Sequence, residues 1–100
     1  MAREEGGRMQ VSFYATLRRV VGGKTAEFEL GEGATVRELL AAMIARFPAL
    51  EAELLDADGQ LYQHVHIFVN SRDALFLTDG LDATLSAADT VGVFPAVGGG

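Results

Sequence analysis

The sequence predicts an α+β fold in which a mixed sheet of about five strands curls around one main helix. Three observations lead there. Two runs of strict period-two alternation flank Gly22-Gly23, a capped amphipathic stripe runs from Thr35 to Phe47, and only short apolar runs fill the stretch from Gly59 to Pro95.

Residues 1–8 read as a polar, mixed-charge flexible leader and residues 9–95 as the folded domain. From Gln10 to Arg18, Val11, Phe13, Ala15 and Leu17 alternate with Gln10, Ser12, Tyr14, Thr16 and Arg18, so the odd positions are expected inward. Gly22-Gly23 then predicts a tight hairpin, because glycine takes positive φ without a Cβ clash. In the returning strand, Lys24 to Leu30, the inward set is Ala26, Phe28 and Leu30.

Thr35 followed three residues later by Glu38 has the spacing of a capping box. Val36, Leu39, Leu40, Met43 and Phe47 share one helical face, and Pro48 ends the helix. Leu50, Leu54 and Leu55 are expected to close the bottom of the core through a short turn, and Asp58-Gly59 to reverse the chain. Val65, Ile67 and Val69 predict a third strand, Leu75-Phe76-Leu77 a small edge strand, and Leu85 a core contact under a loop. Thr90 to Phe94 is the last strand, with Val91 and Val93 inward. A ferredoxin-like α+β fold competes on pattern alone, but it needs a second long helix that nothing from Gly59 to Pro95 supplies. A helix crossing from an N-terminal hairpin to later strands is instead the β-grasp, or ubiquitin-like, arrangement.

Composition narrows the chemistry. A net charge of −6 argues against a nucleic-acid partner, since a phosphate backbone needs a basic face. The sequence has no cysteine, which removes disulfides, thiolate metal sites, iron–sulfur clusters and cysteine nucleophiles together. No apolar run approaches the ~20 residues that span a bilayer, and the leader lacks an apolar signal region. A soluble, cytoplasmic protein with no membrane partner is expected. His64 and His66, two apart on one strand, have no evident third ligand, so no metal is expected. No Ser/His/Asp or paired-carboxylate arrangement stands out, and the chain does not read as an enzyme by itself.

The C-terminal stretch carries the most information. Pro95, which has no N–H, stops the last strand, and the tail 96–100 ends in Gly98-Gly99-Gly100. A terminal glycine offers the least hindered carboxylate a protein can present, on a backbone free to thread into a narrow active site. A frayed terminus or a cloning remnant is the plain alternative.

These residues resemble the MoaD/ThiS family, the small subunit of molybdopterin synthase and its sulfur-carrier relatives. The resemblance runs over about residues 10 to 100. It rests on Phe13-Tyr14-Ala15-Thr16-Leu17-Arg18, Thr35-Val36-Arg37-Glu38-Leu39-Leu40, Phe47-Pro48, Val69-Asn70 and the ending Phe94-Pro95-Ala96-Val97-Gly98-Gly99-Gly100. Gly98 stands where relatives often carry another small residue, Ala96 where a second proline is common, and Leu50 to Tyr62 is longer than in the shortest members.

The resemblance implies that an E1-like adenylating enzyme uses ATP to activate the carboxylate of Gly100. A sulfur-donor protein then displaces AMP and leaves a thiocarboxylate. It implies no cofactor bound to this chain itself. The acceptor would be a pterin precursor on the molybdopterin synthase large subunit, or another pathway's acceptor in thiamine, tRNA or cysteine synthesis. A ubiquitin-like modifier joining lysines through Gly100, and a plain β-grasp binding module, are the other readings. Gly99 and Gly100 are the expected reactive pair. Pro95, Val97 and Gly98 are expected to be gripped by partners. Tyr14, Phe68 and Phe94 fall on the outward phase of strands that a β-grasp sheet makes neighbours, so they are expected to form one docking surface with Phe94 as its anchor.

Overall fold

Alternating apolar and polar residues build the sheet. In the computed structural model, residues 8–31, 33–86 and 88–95 are described, and their five strands form a single sheet. The strands are β1 (Arg8–Phe13), β2 (Thr25–Glu29), β3 (His66–Val69), β4 (Arg72–Asp73) and β5 (Val91–Phe94), in the order β2-β1-β5-β3-β4. Between them come helices α1 (Leu17–Val21), α2 (Val36–Arg46) and α3 (Leu50–Leu54). The last strand lies between the first and third, parallel to β1 and antiparallel to β3. One face of the sheet supplies Met9, Val11, Phe13, Ala26, Phe28, Ile67, Val69, Val91 and Val93 to a core completed by Val36, Leu39, Leu40 and Met43 of α2. Each of the larger of these side chains contributes about 1.5–3 kcal/mol by leaving water. This is the β-grasp expected from the pattern.

Helix α2 starts as its sequence requires. The Glu38 N–H donates to the Thr35 hydroxyl at 3.1 Å, and the Thr35 N–H donates to the Glu38 carboxylate at 2.9 Å. The two bonds satisfy reciprocally N–H groups that a bare helix end leaves orphaned.

Several expectations are corrected. The first strand ends at Phe13, not Arg18: Ala15 is exposed at φ 55°, and Leu17 reaches the core from α1 instead. The alternation misled because Leu17 is buried under either conformation. Second, Gly22 does take positive φ, but as the left-handed cap of α1, its N–H donating to Arg18 O at 2.9 Å. β1 and β2 still pair antiparallel, from Ser12 opposite Thr25 to Arg8 opposite Glu29, so the strand begins inside the expected leader. Third, the edge strand is Arg72–Asp73, and Ala74–Phe76 is a 3₁₀ turn. Asp73 caps that turn by accepting the Leu75 N–H at 3.0 Å, and Ala74 takes the buried slot. Leu75 and Phe76 are left 56% and 83% exposed. The expected turn at Leu50 proves to be α3, with Leu50 and Leu54 fully buried one turn apart.

Asn70 fixes the register of β5. Its side-chain carbonyl accepts the Thr90 N–H and its amide donates to Asp89, both at 2.9 Å, while its own N–H donates to Thr90 O at 2.8 Å. Asn70 and Ser71 turn the chain at φ 53° and 70°, a region asparagine tolerates better than most residues. Among the described residues, no helix is long and apolar enough to cross a membrane.

Candidate functional site

The sheet face turned away from α2 carries a row of rings. Tyr14 follows β1 directly, its N–H donating to Val93 O at 3.2 Å, so that it continues beside β5. Its ring stacks on Phe94 with centroids 4.1 Å apart and planes 4° from parallel. Phe94 meets Phe68 edge-on at 5.2 Å, and Phe68 lies 6.0 Å from His66. Strand pairing explains the row. His66 is opposite Phe94 and Phe68 opposite Gly92, and paired residues project from the same face. Each stacked or edge-on pair adds about 0.5–1.5 kcal/mol beyond its buried area.

Gly92 is the floor of the row. A Cβ there would sit 3.1 Å from Cε2 of Tyr14 and 3.5 Å from Cε1 of Phe94. Without it, the tyrosine ring lies directly on the β5 backbone. Around this floor, Ser12, Tyr14, Phe68, Ser71, Thr90, Val91, Gly92 and Phe94 line an open depression of about 350 Å³. It has aromatic walls, and Ser12, Ser71 and Thr90 bring hydroxyl groups to it.

The ends of the row are polar. At one end the Arg18 guanidinium lies 5.4 Å from the Tyr14 ring centroid, and its Nε–H donates to Phe13 O at 2.8 Å. A cation over an aromatic face is attracted by the ring quadrupole, and the bond to the strand end holds it there. At the other end the His66 ring is 2.8 Å from the Asp73 carboxylate.

The structure therefore brings Tyr14, Phe68 and Phe94 together. All three are half-buried by one another while still lining an open depression. Pro95 is buried at the end of β5, which makes it a seat for the strand exit rather than part of the ring surface. Val97, Gly98, Gly99 and Gly100, with the rest of the 96–100 tail, lie outside the described residues. His64 and His66 part ways: His64 stacks on Tyr62 at 5.0 Å, while His66 turns to Asp73. Among the described residues, no group of three or more His, Cys, Asp or Glu is placed to hold a metal ion.

Sequence reasoning missed three members of the site. Arg18 reads as a solvated strand edge until Ala15 turns the chain and α1 brings the guanidinium back over Tyr14. Gly92 reads only as a small outward residue. Its place between Thr90 and Phe94, opposite an outward Phe68, was the available signal. Asp73 reads only as a polar residue just before the expected edge strand, and the β3–β4 pairing is what sets it beside His66.

The likeness to known proteins covers nearly the whole chain. A model of the ThiS family matches residues 11–100. The chain is 36% identical over 92 residues to small archaeal modifier protein 3 of Haloferax volcanii, covering 92% of this chain and 98% of that protein. It is 33% identical over 93 residues to the molybdopterin synthase sulfur carrier subunit of Chlamydomonas reinhardtii, covering 93% and 99%. The crystal structure of SAMP1 from Haloferax volcanii superposes with a TM-score of 0.83 at 33% identity, over 94% of this chain and all of that one. With the β-grasp sheet, the whole-chain match and the ring row beside the exit of β5 all in place, the chain belongs to the ThiS family, the ThiS/MoaD-type ubiquitin-like sulfur carriers, whose members are small carrier proteins and not enzymes.

Proposed function

We propose that this chain carries sulfur on the carboxylate of Gly100, most directly as the small subunit of molybdopterin synthase. A carboxylate is a poor electrophile because its charge is delocalised, so it must be activated first. An E1-like enzyme supplies the activation: a Gly100 oxygen attacks the α-phosphorus of ATP, pyrophosphate leaves, and an acyl adenylate forms. A sulfur nucleophile on a donor protein then attacks the carbonyl carbon. With a persulfide as that nucleophile, the C–S bond forms as the C–O bond to AMP breaks, leaving an acyl disulfide to the donor. A donor thiol then attacks the donor-side sulfur, a protein disulfide forms, and the released thiocarboxylate passes its sulfur to an acceptor on the large synthase subunit. Gly99 and Gly100 let the tail lie in a tight channel, since a Cβ on either would crowd it.

The observation that carries this reading is the position of Phe94. It is the last residue of the central strand, one residue before the buried Pro95, and it sits at the centre of the ring row. A partner that grips the rings holds the start of the tail at the same time. The depression over Gly92 suits an apolar side chain of that partner. The Chlamydomonas relative, named as a molybdopterin synthase sulfur carrier subunit, supports this choice of acceptor. A second reading, a protein modifier that joins lysine amines through Gly100, is favoured by the relative named small archaeal modifier protein 3. Both use the same adenylate.

Intact mass spectrometry of the protein from its native cells tests the proposal. Exchange of one oxygen for sulfur at the C-terminus is expected, and deletion of Gly100 should abolish it with the fold intact. Lysine conjugates without any thiocarboxylate would favour the modifier reading. A Gly100 deletion that still acquires sulfur would refute the proposal.

A further inference from the structure

The ring row ends in a histidine whose orientation is fixed from behind. His66 is opposite Phe94 in the β3–β5 ladder, and Asp73 is opposite Phe68 in the β3–β4 ladder. The His66 Nδ1 is 2.8 Å from Oδ2 of Asp73. A carboxylate only accepts, so Nδ1 carries the proton and donates it, and the neutral ring is left with an unprotonated Nε2. Asp73 is itself held, because its other oxygen accepts the Leu75 N–H at 3.0 Å. The Asp73 side chain is only 11% exposed, while that of His66 is 45% exposed. The structure therefore shields the carboxylate and presents the imidazole.

Charge identifies what would meet it. The chain carries a net charge of −6, and the Asp73 carboxylate stands directly behind the His66 ring. Along the rest of the row, Tyr14, Phe94 and Phe68 are uncharged, and the cation Arg18 stands at the opposite end. An acceptor backed by negative charge at one end and a guanidinium at the other give the row a direction. That polarity distinguishes a correctly oriented partner from one turned end to end.

We propose that His66, positioned by Asp73, is the specificity contact of the docking face: its Nε2 accepts a hydrogen bond from a cationic donor, such as an arginine, on the adenylating enzyme that grips Phe94. This inference rests on the carrier reading above for the identity of the partner. His66 is assigned to docking because it is opposite Phe94, six positions before Gly100 in the sequence. Asp73 is a positioning residue that acts through His66.

The test uses the full chain and the E1-like enzyme encoded in the same genome. Binding is measured by calorimetry, and activation by ATP–pyrophosphate exchange with the carrier as varied substrate. His66→Leu should weaken binding and raise KM about ten-fold, with kcat unchanged. His66→Gln, which keeps an acceptor at similar reach, should recover most of the loss. Asp73→Asn still caps the Ala74–Phe76 turn but frees the ring to reverse its tautomer, so it should raise KM several-fold. Imidazole nitrogen NMR of the free protein should report Nδ1 protonated in the wild type and the preference lost in Asp73→Asn. Phe94→Ala sets the scale of complete docking loss. KM and affinity for His66→Leu within two-fold of wild type would overturn the inference. Wild-type chain that binds without supporting exchange would sink the activation reading and leave the binding comparison to decide the role of His66. Wild-type chain that does not bind at all would overturn both.

Discussion

Replacing Gly92 with alanine should damage the docking face while sparing the fold. The new Cβ would approach Tyr14 Cε2 to 3.1 Å, against about 3.5–4.0 Å for relaxed carbon contact, so the ring must retreat by roughly 0.5 Å. Nothing forces the backbone to move, because the ring is half-buried and borders an open depression. The displacement costs part of the stacking with Phe94, which is about 0.5–1.5 kcal/mol in full. Against this, alanine in a strand is about 0.5–1 kcal/mol better than glycine, which loses more freedom on folding. The two nearly cancel, leaving stability within about 1 kcal/mol and the melting temperature within roughly 4–8 °C of wild type. Thermal unfolding by circular dichroism measures the stability, and the nuclear Overhauser contact between the Tyr14 and Phe94 rings measures the displacement. Gly92→Val should push the ring further and weaken adenylating-enzyme binding more than Gly92→Ala does. A loss of more than about 3 kcal/mol in Gly92→Ala would show that the ring cannot give way. An unchanged ring contact with unchanged binding would show that the bare backbone under Tyr14 has no part in docking.

Other perturbations probe the frame. Thr35→Ala removes one half of the α2 capping box and should cost about 0.5–2 kcal/mol, read as a lower midpoint in urea with an unchanged slope. Leu54→Ala empties a fully buried site beneath α3 and should cost about 2–5 kcal/mol, enough to expose the chain to proteolysis at 37 °C. The Arg37 guanidinium donates to Asp82 at 2.9 Å, and this bond and the attached charge hold the Asp82 carboxyl below its ordinary range. Because its folded value is depressed, what the pair contributes is present above the unfolded carboxylate range and is lost as pH falls through the folded value. Carboxyl NMR titration should show Asp82 ionising at lower pH than in Arg37→Ala; identical titrations would remove the pair from the account.

Much of this was legible in the residues because local and global signals agreed. Thr35 and Glu38 announce the start of α2, and the apolar stripe through Met43 says which side faces the sheet. The alternation at Val65, Ile67 and Val69, and again at Val91 and Val93, placed Phe68 and Phe94 on the outer face before any geometry was known. The failures share a cause. At Tyr14 to Arg18 the period-two pattern persists through a turn and a short helix, because Leu17 points inward in either conformation and a positive φ at Ala15 leaves no mark in composition. At Leu75-Phe76 the apolar residues are exposed, because Asp73 starts a 3₁₀ turn that puts Ala74 inside instead. The polar ends of the site depended on two tight reversals that leave no mark in the alternation: Arg18 meets Tyr14 through the turn at Ala15, and His66 meets Asp73 through the turn at Asn70-Ser71.

The position of β5 has a mechanical consequence. Three residue pairs join it to β1 on one side and four join it to β3 on the other, so it is clamped along both edges. A pull applied beyond Pro95 acts along the strand axis and loads both ladders in shear, where their hydrogen bonds must rupture together rather than unzip singly. An enzyme hauling on that end would have to load all seven paired positions at once before the strand could leave the sheet.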